Sequence, residues 1–494
     1  MAYQSYIQYL FARKELAERL KRYSVFFILV LACISTTPHK KHVPPFGSPC
    51  INLTAASATT AASIPLMGSP AIKLEIHHIN INNGDASVIR IIHADRTETK
   101  VLIDGGQTSA ATLLVPYCNA MFANNNFKYT ILTHYHNDHY NGLMALGTGA
   151  ITSQYYMDLG GYDMTNDVSQ QNLHLIQPND NTCPWTDSTG VFEGEGMPDY
   201  IRAVGTATDN FGMQRYMPFS KDVNHISDMI GVIIPVDTFM VGTAKVPIDL
   251  RCVAAWGFTQ GNNAVVDNWN KGASKNDPSL GFVLECGEFR YFFGGDMGGQ
   301  ASGSYIDQET TLAEGFTFLY KGAKSYYKPA GTYDGHVCGF KANHHGSDHS
   351  NNSVFLGKMR PAVCVTSAGD NSGWHLPSIP FLQRLNATTP LTVAADIPSG
   401  PPFLKAQGFF FTNLFNFPKG NSLNEAKKLF DTRVKTAFQY GSKTGAIKAG
   451  YEVIINLATP NAIDYRTSSS FGVVSVDNHY KVSPLIAVLG CHKK

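Results

Sequence analysis

Between Thr133 and Gly142 the chain reads Thr-His-Tyr-His-Asn-Asp-His-Tyr-Asn-Gly, placing His134, His136, Asp138 and His139 within six consecutive positions. Only 17 of the 494 residues are histidine, so this density asks for a chemical reason. Imidazole and carboxylate together suit Zn²⁺, Mn²⁺ or Fe²⁺, and the spacing lets His134 and His136 point one way while Asp138 and His139 serve a second ion. Three later stretches carry the same residue types: Gly294-Gly295-Asp296, His344-His345-Gly346-Ser347, and Trp374-His375-Leu376-Pro377. An aspartate after a Gly-Gly turn, where backbone approaches closely, suits a carboxylate shared by two ions ~3.5–4 Å apart. Two such ions activate water near neutral pH, and Asp138 and Asp296 offset their charge. A histidine near its reference pKa, His344 or His375, would then protonate the leaving group.

Short apolar strands must position these groups. Lys100 to Ile103 ends in Asp104-Gly105-Gly106, and a helix-like segment follows to about Asn124. Tyr129 to Leu132 delivers the His-rich stretch at its end, and Gly142 to Leu146 starts a helix. Leu280 to Phe293 reads as a hairpin turning at Gly287-Glu288 and closing on Asp296. Gly339 to Asn343 runs into the paired histidines, and Ala362 to Ser367 precedes the stretch containing His375. Ligands at strand ends, in loops before helices, are where layered α/β architectures place chemistry. Upstream, Ile72 to Ile81, the turn Asn83-Gly84-Asp85 and Ala86 to Ile92 predict a β-hairpin. His77 and His78 are strand neighbours facing opposite ways and read as structural. Lys245 to Ala255, Leu391 to Ala395 and Tyr451 to Leu457 read as strands, and Leu423 to Phe438 as a helix. Ala150 to Val241 is rich in Asn, Asp and Gly and reads as an elaborated region over the site, with one aromatic strand at Ser153 to Asp158. The aromatic pairs Tyr155-Tyr156 and Tyr326-Tyr327 read as ordinary core residues rather than a substrate groove.

Taken in order, Asp104-Gly105-Gly106, T-H-x-H-x-D-H-x-x-G, Gly-Gly-Asp296, His-His-Gly-Ser and a late histidine resemble the metallo-β-lactamase superfamily. Within it, the chain is most similar to the branch of the competence protein ComEC's soluble domain, through Asn83-Gly84-Asp85-Ala86, Ser279-Leu280, and Ser347 with Ser350. The resemblance runs from about Ile76 to Leu385. It implies an α+β fold, a four-layer αββα sandwich with metals at one edge, and a hydrolase domain over 71–470 with insertions at about 151–240 and 397–445, followed by a tail, 471–494. It implies His134 and His136 as ligands of the first ion, Asp138, His139 and His345 of the second, and Asp296 as the bridge. Asp104 would orient the ligand loop, and His344 would face substrate. Two departures stand out. The superfamily's third histidine for the first ion is not evident, His174 and His225 being the candidates; and His375 is followed by Leu376-Pro377 where the branch has His-Pro, which keeps it near the site as proton donor or phosphate contact.

The function this implies is an exported, metal-dependent hydrolase with two divalent ions, Zn foremost and Mn or Fe as alternatives. Its partner would be a small-molecule or polymeric phosphoester. The alternatives are a lactone or β-lactam acyl hydrolase, and a non-catalytic metal-binding surface protein. A net charge of +1 gives no general pull toward a polyanion. Arg19, Lys21 and Arg22 precede an apolar run, Tyr23 to Ala32, of signal-peptide length. Val30-Leu31-Ala32-Cys33 resembles a lipoprotein cleavage box, so 1–33 reads as an export signal, 34–70 as a flexible linker, and the N-terminus as a membrane attachment. The location would be periplasmic, membrane-anchored or extracellular. Nine cysteines include no C-x-x-C pair, which excludes a ribbon-type zinc site, and Cys252, Cys286 and Cys364 in apolar runs read as buried thiols.

Overall fold

The computed structural model describes most of residues 69–388 and the strands at 409–411, 449–456, 463–469 and 475–481. The N-terminal segment with Cys33 and the linker lie outside the described residues, as do His225, Tyr326, Tyr327, His375, Leu391 to Ala395 and Leu423 to Phe438. No helix among the described residues is long and apolar enough to cross a membrane.

The first half builds one sheet from β1 (Ala71–His78), β2 (Ser87–His93), β3 (Glu98–Ile103), β4 (Asn126–Ile131) and β5 (Thr152–Met157). β1, β2 and β3 are antiparallel neighbours; β3, β4 and β5 run parallel. The predicted hairpin forms, with His78 opposite Ser87. The connections of the parallel strands carry α1 (Ala111–Met121) and α2 (Asn137–Tyr140), the latter continuing as a 3₁₀ turn, Asn141–Leu146. The second half contributes β6 (Ile233–Val241), β7 (Ala244–Ala255), β8 (Gly281–Cys286), β9 (Phe289–Phe293), β10 (Gly339–Lys341) and β11 (Val363–Thr366). β6 to β9 are antiparallel in the order β6-β7-β8-β9, and β10 and β11 extend β9 in parallel. β12 (Phe409–Phe411) pairs with β11, while β13 (Ala449–Asn456), β14 (Ile463–Ser469) and β15 (Ser475–Lys481) continue the first sheet beyond β1.

Burial on both faces of these strands makes the four layers. His78 on the inner face of β1 reaches Tyr291 of β9, and Ile76, Leu74, Phe282, Leu284 and Phe293 join it in the core between the sheets. His77, one residue away, faces outward to Tyr117 of α1 and Phe122. On the far face of the second sheet Val283 and Phe292 pack with Phe316 of α4 (Glu309–Leu319), Phe355 of α5 (Ser353–Met359) and Leu382 of α6 (Ile379–Thr388). Each fully buried Leu, Val or Phe contributes about 1.5–3 kcal/mol relative to exposure. The sheets meet at one edge, where Ala71 pairs with Phe239, His93 bonds Asp237 at 3.0 Å, and Lys128 donates to the carbonyls of Pro235 and Val236.

The region read as an elaborated loop holds more order than its composition suggests. α3 (Met197–Phe211) lies within it, with Tyr200, Val204 and Ala207 buried and the Tyr200 ring packed on Tyr140 and Tyr156. Tyr155 stacks on Tyr129 at 5.4 Å, so the Tyr155-Tyr156 pair is core material. Cys118, Cys252, Cys286 and Cys364 are buried free thiols, and burial pushes Cys252 up to about 12.

Candidate metal centre

Among the described residues, the Asp104, His-rich, Asp296 and His344-His345 motifs emerge at strand carboxyl ends, and parallel pairing of β3 with β4 and of β9 with β10 sets these ends side by side within each sheet. Asp104 follows β3, in a left-handed conformation (φ 59°). Its carboxylate accepts from the Thr133 amide (2.7 Å), the Thr133 hydroxyl (2.8 Å) and His139 Nδ1 (2.8 Å). It thereby fixes the start and the end of the His-rich loop after β4. The loop also packs too tightly to admit side chains at two positions. A Cβ on Gly142 would collide with the Gly105 carbonyl, and one on Gly84 (φ 91°) with the Asp138 carbonyl.

The His344-His345 segment takes an unusual backbone. Both residues are left-handed (φ 48° and 52°), a conformation costing a non-glycine residue about 1–3 kcal/mol. A buried network holds it. Glu309 accepts from Asn343 Nδ2 (2.7 Å) and from the amides of Asn351 and Asn352 (2.6 Å each), and Asn343 and Asn351 exchange two further bonds of 2.9 Å. The His344 amide donates to the Gly295 carbonyl (3.1 Å), tying this loop to that of Asp296.

The ligand atoms converge on Asp296 Oδ2. His139 Nε2 and His345 Nε2 lie 3.3 Å from it, and His134 Nε2 lies 3.9 Å away. Asp138 completes one group, with Oδ2 at 3.3 Å from His345 Nε2 and Oδ1 at 4.0 Å from His139 Nε2. Donors bound tetrahedrally at ~2.0–2.1 Å stand about 3.3 Å apart, so Asp138, His139, Asp296 and His345 have the spacing of one ion's coordination set. His134, His136 and Asp296 form a second cluster on the same aspartate. The Nε2 atoms of His134, His139 and His345 are buried without a hydrogen-bond partner. An unpaired buried polar atom costs about 1–3 kcal/mol, and a divalent ion satisfies all three. The donor set therefore fits metal.

The opposite ring nitrogens fix tautomer and orientation. His139 Nδ1 faces Asp104, and His345 Nδ1 donates to the Ser367 carbonyl at 2.9 Å. This is the outer support by which a protein raises the basicity of a ligating imidazole. Asp85, from the β1–β2 turn, joins the cluster with His139, Asp296 and His345, but from behind. Its oxygens lie 3.2 Å from His345 Nδ1 and 4.0 Å from His139 Nδ1, the nitrogens that face away from Asp296. It supports the rings rather than the ion. Lys341, also buried, donates to Asp85 and to the Gly295 carbonyl (3.0 Å).

Burial alone would raise the carboxyls of Asp138 and Asp296. His139 and His345 overcome this and hold both well below the usual range; a bound cation would displace the protons of these rings and take over as the counter-charge of the two carboxylates. Burial likewise opposes charge on Lys341, but Asp85 and Asp296 hold its ammonium above the usual lysine value. His344 stands at the rim, Nε2 3.9 Å from Asp296 Oδ2 and 3.3 Å from Asn276 Nδ2. Burial lowers it to about 4, and nearby cations would lower it further, so at neutral pH it is a neutral hydrogen-bonding group. The expectation of a near-reference pKa at His344 therefore does not hold. Among the described residues no third histidine joins His134 and His136. His174 sits on a two-residue strand paired with Tyr162–Asp163, in a ladder apart from both sheets.

Residues 81–222 match the family model described as the metallo-beta-lactamase superfamily. The chain carries a metallo-β-lactamase superfamily domain. The matched stretch holds the His-rich loop, and the layered α/β arrangement is the metallo-β-lactamase fold. Among solved structures, a long form RNase Z from yeast matches at 9% identity and a TM-score of 0.31, over 74% of this chain and 45% of that one. The chain thus spans less than half of that protein's length. No curated protein matches.

Sequence reasoning did not assign Asp85, Lys341 or Glu309. Asp85 carried a signal in its Asn-Gly-Asp turn, and Lys341 in a charge placed inside a short apolar strand. Glu309 lies on a helix with nothing in its neighbourhood to mark it.

Proposed function

We propose that the metallo-β-lactamase domain hydrolyses a phosphoester or phosphodiester, as a ComEC-like enzyme exported through its N-terminal segment. The observation that carries this reading is the pair of neutral polar side chains beside the ligand cluster. Asn276 Nδ2 donates to His344 Nε2 at 3.3 Å, which leaves the ring proton on His344 Nδ1, a donor with no hydrogen-bond partner in the protein. A phosphoryl group offers more acceptor oxygens than a lactam or lactone carbonyl, and an imidazole at the rim suits one that points away from the ligands. Tyr305, stacked on His349 at 4.3 Å and 5.9 Å from the His344 ring, extends this edge as a polar aromatic wall.

Bound at the two clusters, divalent ions would supply Lewis acidity toward the phosphoryl group and lower the pKa of water. The chain's own residues do the rest. Asp104 and the Ser367 carbonyl hold His139 and His345 in the tautomer that leaves Nε2 available. Asp138, its side chain 23% exposed, is the carboxylate of the cluster open to solvent, whereas Asp296 is buried. His344 donates a hydrogen bond but stays neutral, which leaves His375 as the proposed proton donor to the leaving group.

Turnover of bis-p-nitrophenyl phosphate, a lactone and nitrocefin by the purified protein, with and without Asp138→Ala, tests the reading. Metal-dependent hydrolysis of the phosphodiester, abolished in the variant, is expected. Turnover of the lactone or nitrocefin alone would end the phosphoester assignment in favour of acyl hydrolysis.

A further inference from the structure

Behind the ligand cluster lies a cation that the chemistry above does not use. Lys341 is 3% exposed and ends β10, three residues before His344. Its ammonium donates to the Asp85 carboxylate, which stands 256 positions away in sequence, and to the carbonyl of Gly295. It also lies 3.9 Å from Asp296 Oδ1, an atom with no hydrogen-bond partner in the protein. Asp296 Oδ2, by contrast, faces His134, His139 and His345. The two oxygens of the shared carboxylate thus see different surroundings, ligands on one side and an ammonium on the other.

We propose that Lys341 is a positioning residue for Asp296: it pins the preceding peptide and draws Oδ1 outward, so that Oδ2 is presented to both ligand clusters. Gly295 is left-handed (φ 55°), and the Lys341–carbonyl bond acts on the peptide leading directly into Asp296. A lysine has the reach and the three donors to hold one carbonyl and two carboxylates together. An ammonium so placed also gives the buried Asp85 a counter-charge, and that bland role must be separated from the proposed one. A buried charge stripped of its partner costs about 3–5 kcal/mol, so Lys341→Met alone would confound folding with positioning.

Asp85→Asn resolves this. It removes the counter-charge role and keeps the ammonium on Gly295 and Asp296. Binding of Mn²⁺ by Asp85→Asn is then compared with that by Asp85→Asn/Lys341→Met, using calorimetry for affinity and stoichiometry and electron paramagnetic resonance for coupling between two ions. Melting curves in chelator check that both variants fold. The expected result is a loss in Mn²⁺ affinity of about 10–100-fold in the double variant relative to Asp85→Asn, with weakened ion–ion coupling and little change in melting temperature. Equal affinity and coupling in the two variants would overturn the proposal and leave Lys341 as a counter-charge only. If the methionine variant does not fold, Lys341→Gln in the same background serves the comparison with the same two outcomes. The inference rests on the two-ion reading of the centre. Wild-type protein that takes up no Mn²⁺ would end both, whereas intact uptake by the double variant ends only this one.

Discussion

Two pairs of adjacent histidines occupy this chain and do opposite things. His77 and His78 lie in an extended strand, so their rings leave on opposite faces, and every ring nitrogen is used. His77 meets the Tyr117 hydroxyl and Glu75 at 3.0 and 3.1 Å; His78 meets Ser87 Oγ and the Tyr291 hydroxyl at 2.9 and 2.8 Å. Burial lowers His78 to about 3, and it is a neutral core group. His344 and His345 lie in left-handed backbone, which brings both rings to the same side, within 3.9 and 3.3 Å of Asp296 Oδ2. There His345 Nε2 and His344 Nδ1 have no protein partner. Burial is common to both pairs. What separates them is backbone conformation and the nitrogens left over, and these mark a site where burial does not.

The contrast is broken most directly at the ligands. Asp296→Asn or His345→Ala should lower divalent-ion affinity by more than the ~10–100-fold typical of an outer partner, and remove turnover with it. Metal analysis after dialysis reads the first effect, and unchanged uptake would place the ions elsewhere. Asp104→Asn comes next. It keeps the volume but loses the carboxylate that orients His139 and Thr133, and ion affinity should fall by about 10–100-fold with the fold retained. His78→Phe tests the other pair: it strands the Ser87 and Tyr291 hydroxyls and should cost about 1–3 kcal/mol in denaturant titration, with ion stoichiometry unchanged. An altered stoichiometry would mean that His78 also serves the ions.

A third kind of histidine, His93, carries the least stabilisation. His93 joins β2 to β6 through Asp237, and that hydrogen bond raises its pKa above 6.5. A raised folded-state value stabilises the protein fully below 6.5, and the gain is lost as pH rises through the folded value. The pair is partly exposed, so its worth is about 0.5–1 kcal/mol. Wild type and His93→Gln should therefore differ most in melting temperature below pH 6.5 and converge in alkali. A constant difference across pH would show that the ion pair contributes nothing.

Much of the fold was legible because local rules govern it. The hairpin of β1 and β2, the strands ending in Asp104, Thr133, Asp296 and His344, and the hairpin of β8 and β9 all follow from apolar runs closed by Gly or Asn. α3 was hidden by the Asn- and Gly-rich sequence around it, although Tyr200, Val204 and Ala207 carry helical spacing. At the centre, residue type and strand-end position mark His134, His136, Asp138, His139 and Asp296 without reference to anything distant.

Which side chains are fit to hold ions is legible from residue type, because imidazole and carboxylate chemistry belongs to the residue. Tertiary structure alone decided how they are used. It selected His345 over His344 as the member facing Asp138 and Asp296, since that depends on two left-handed residues held by Glu309, Asn343 and Asn351. It placed Asp85 behind the rings and Lys341 against Asp85, from strands far apart in the chain. A ring nitrogen is free or satisfied only with respect to its neighbours in space, and that difference assigns each histidine its role.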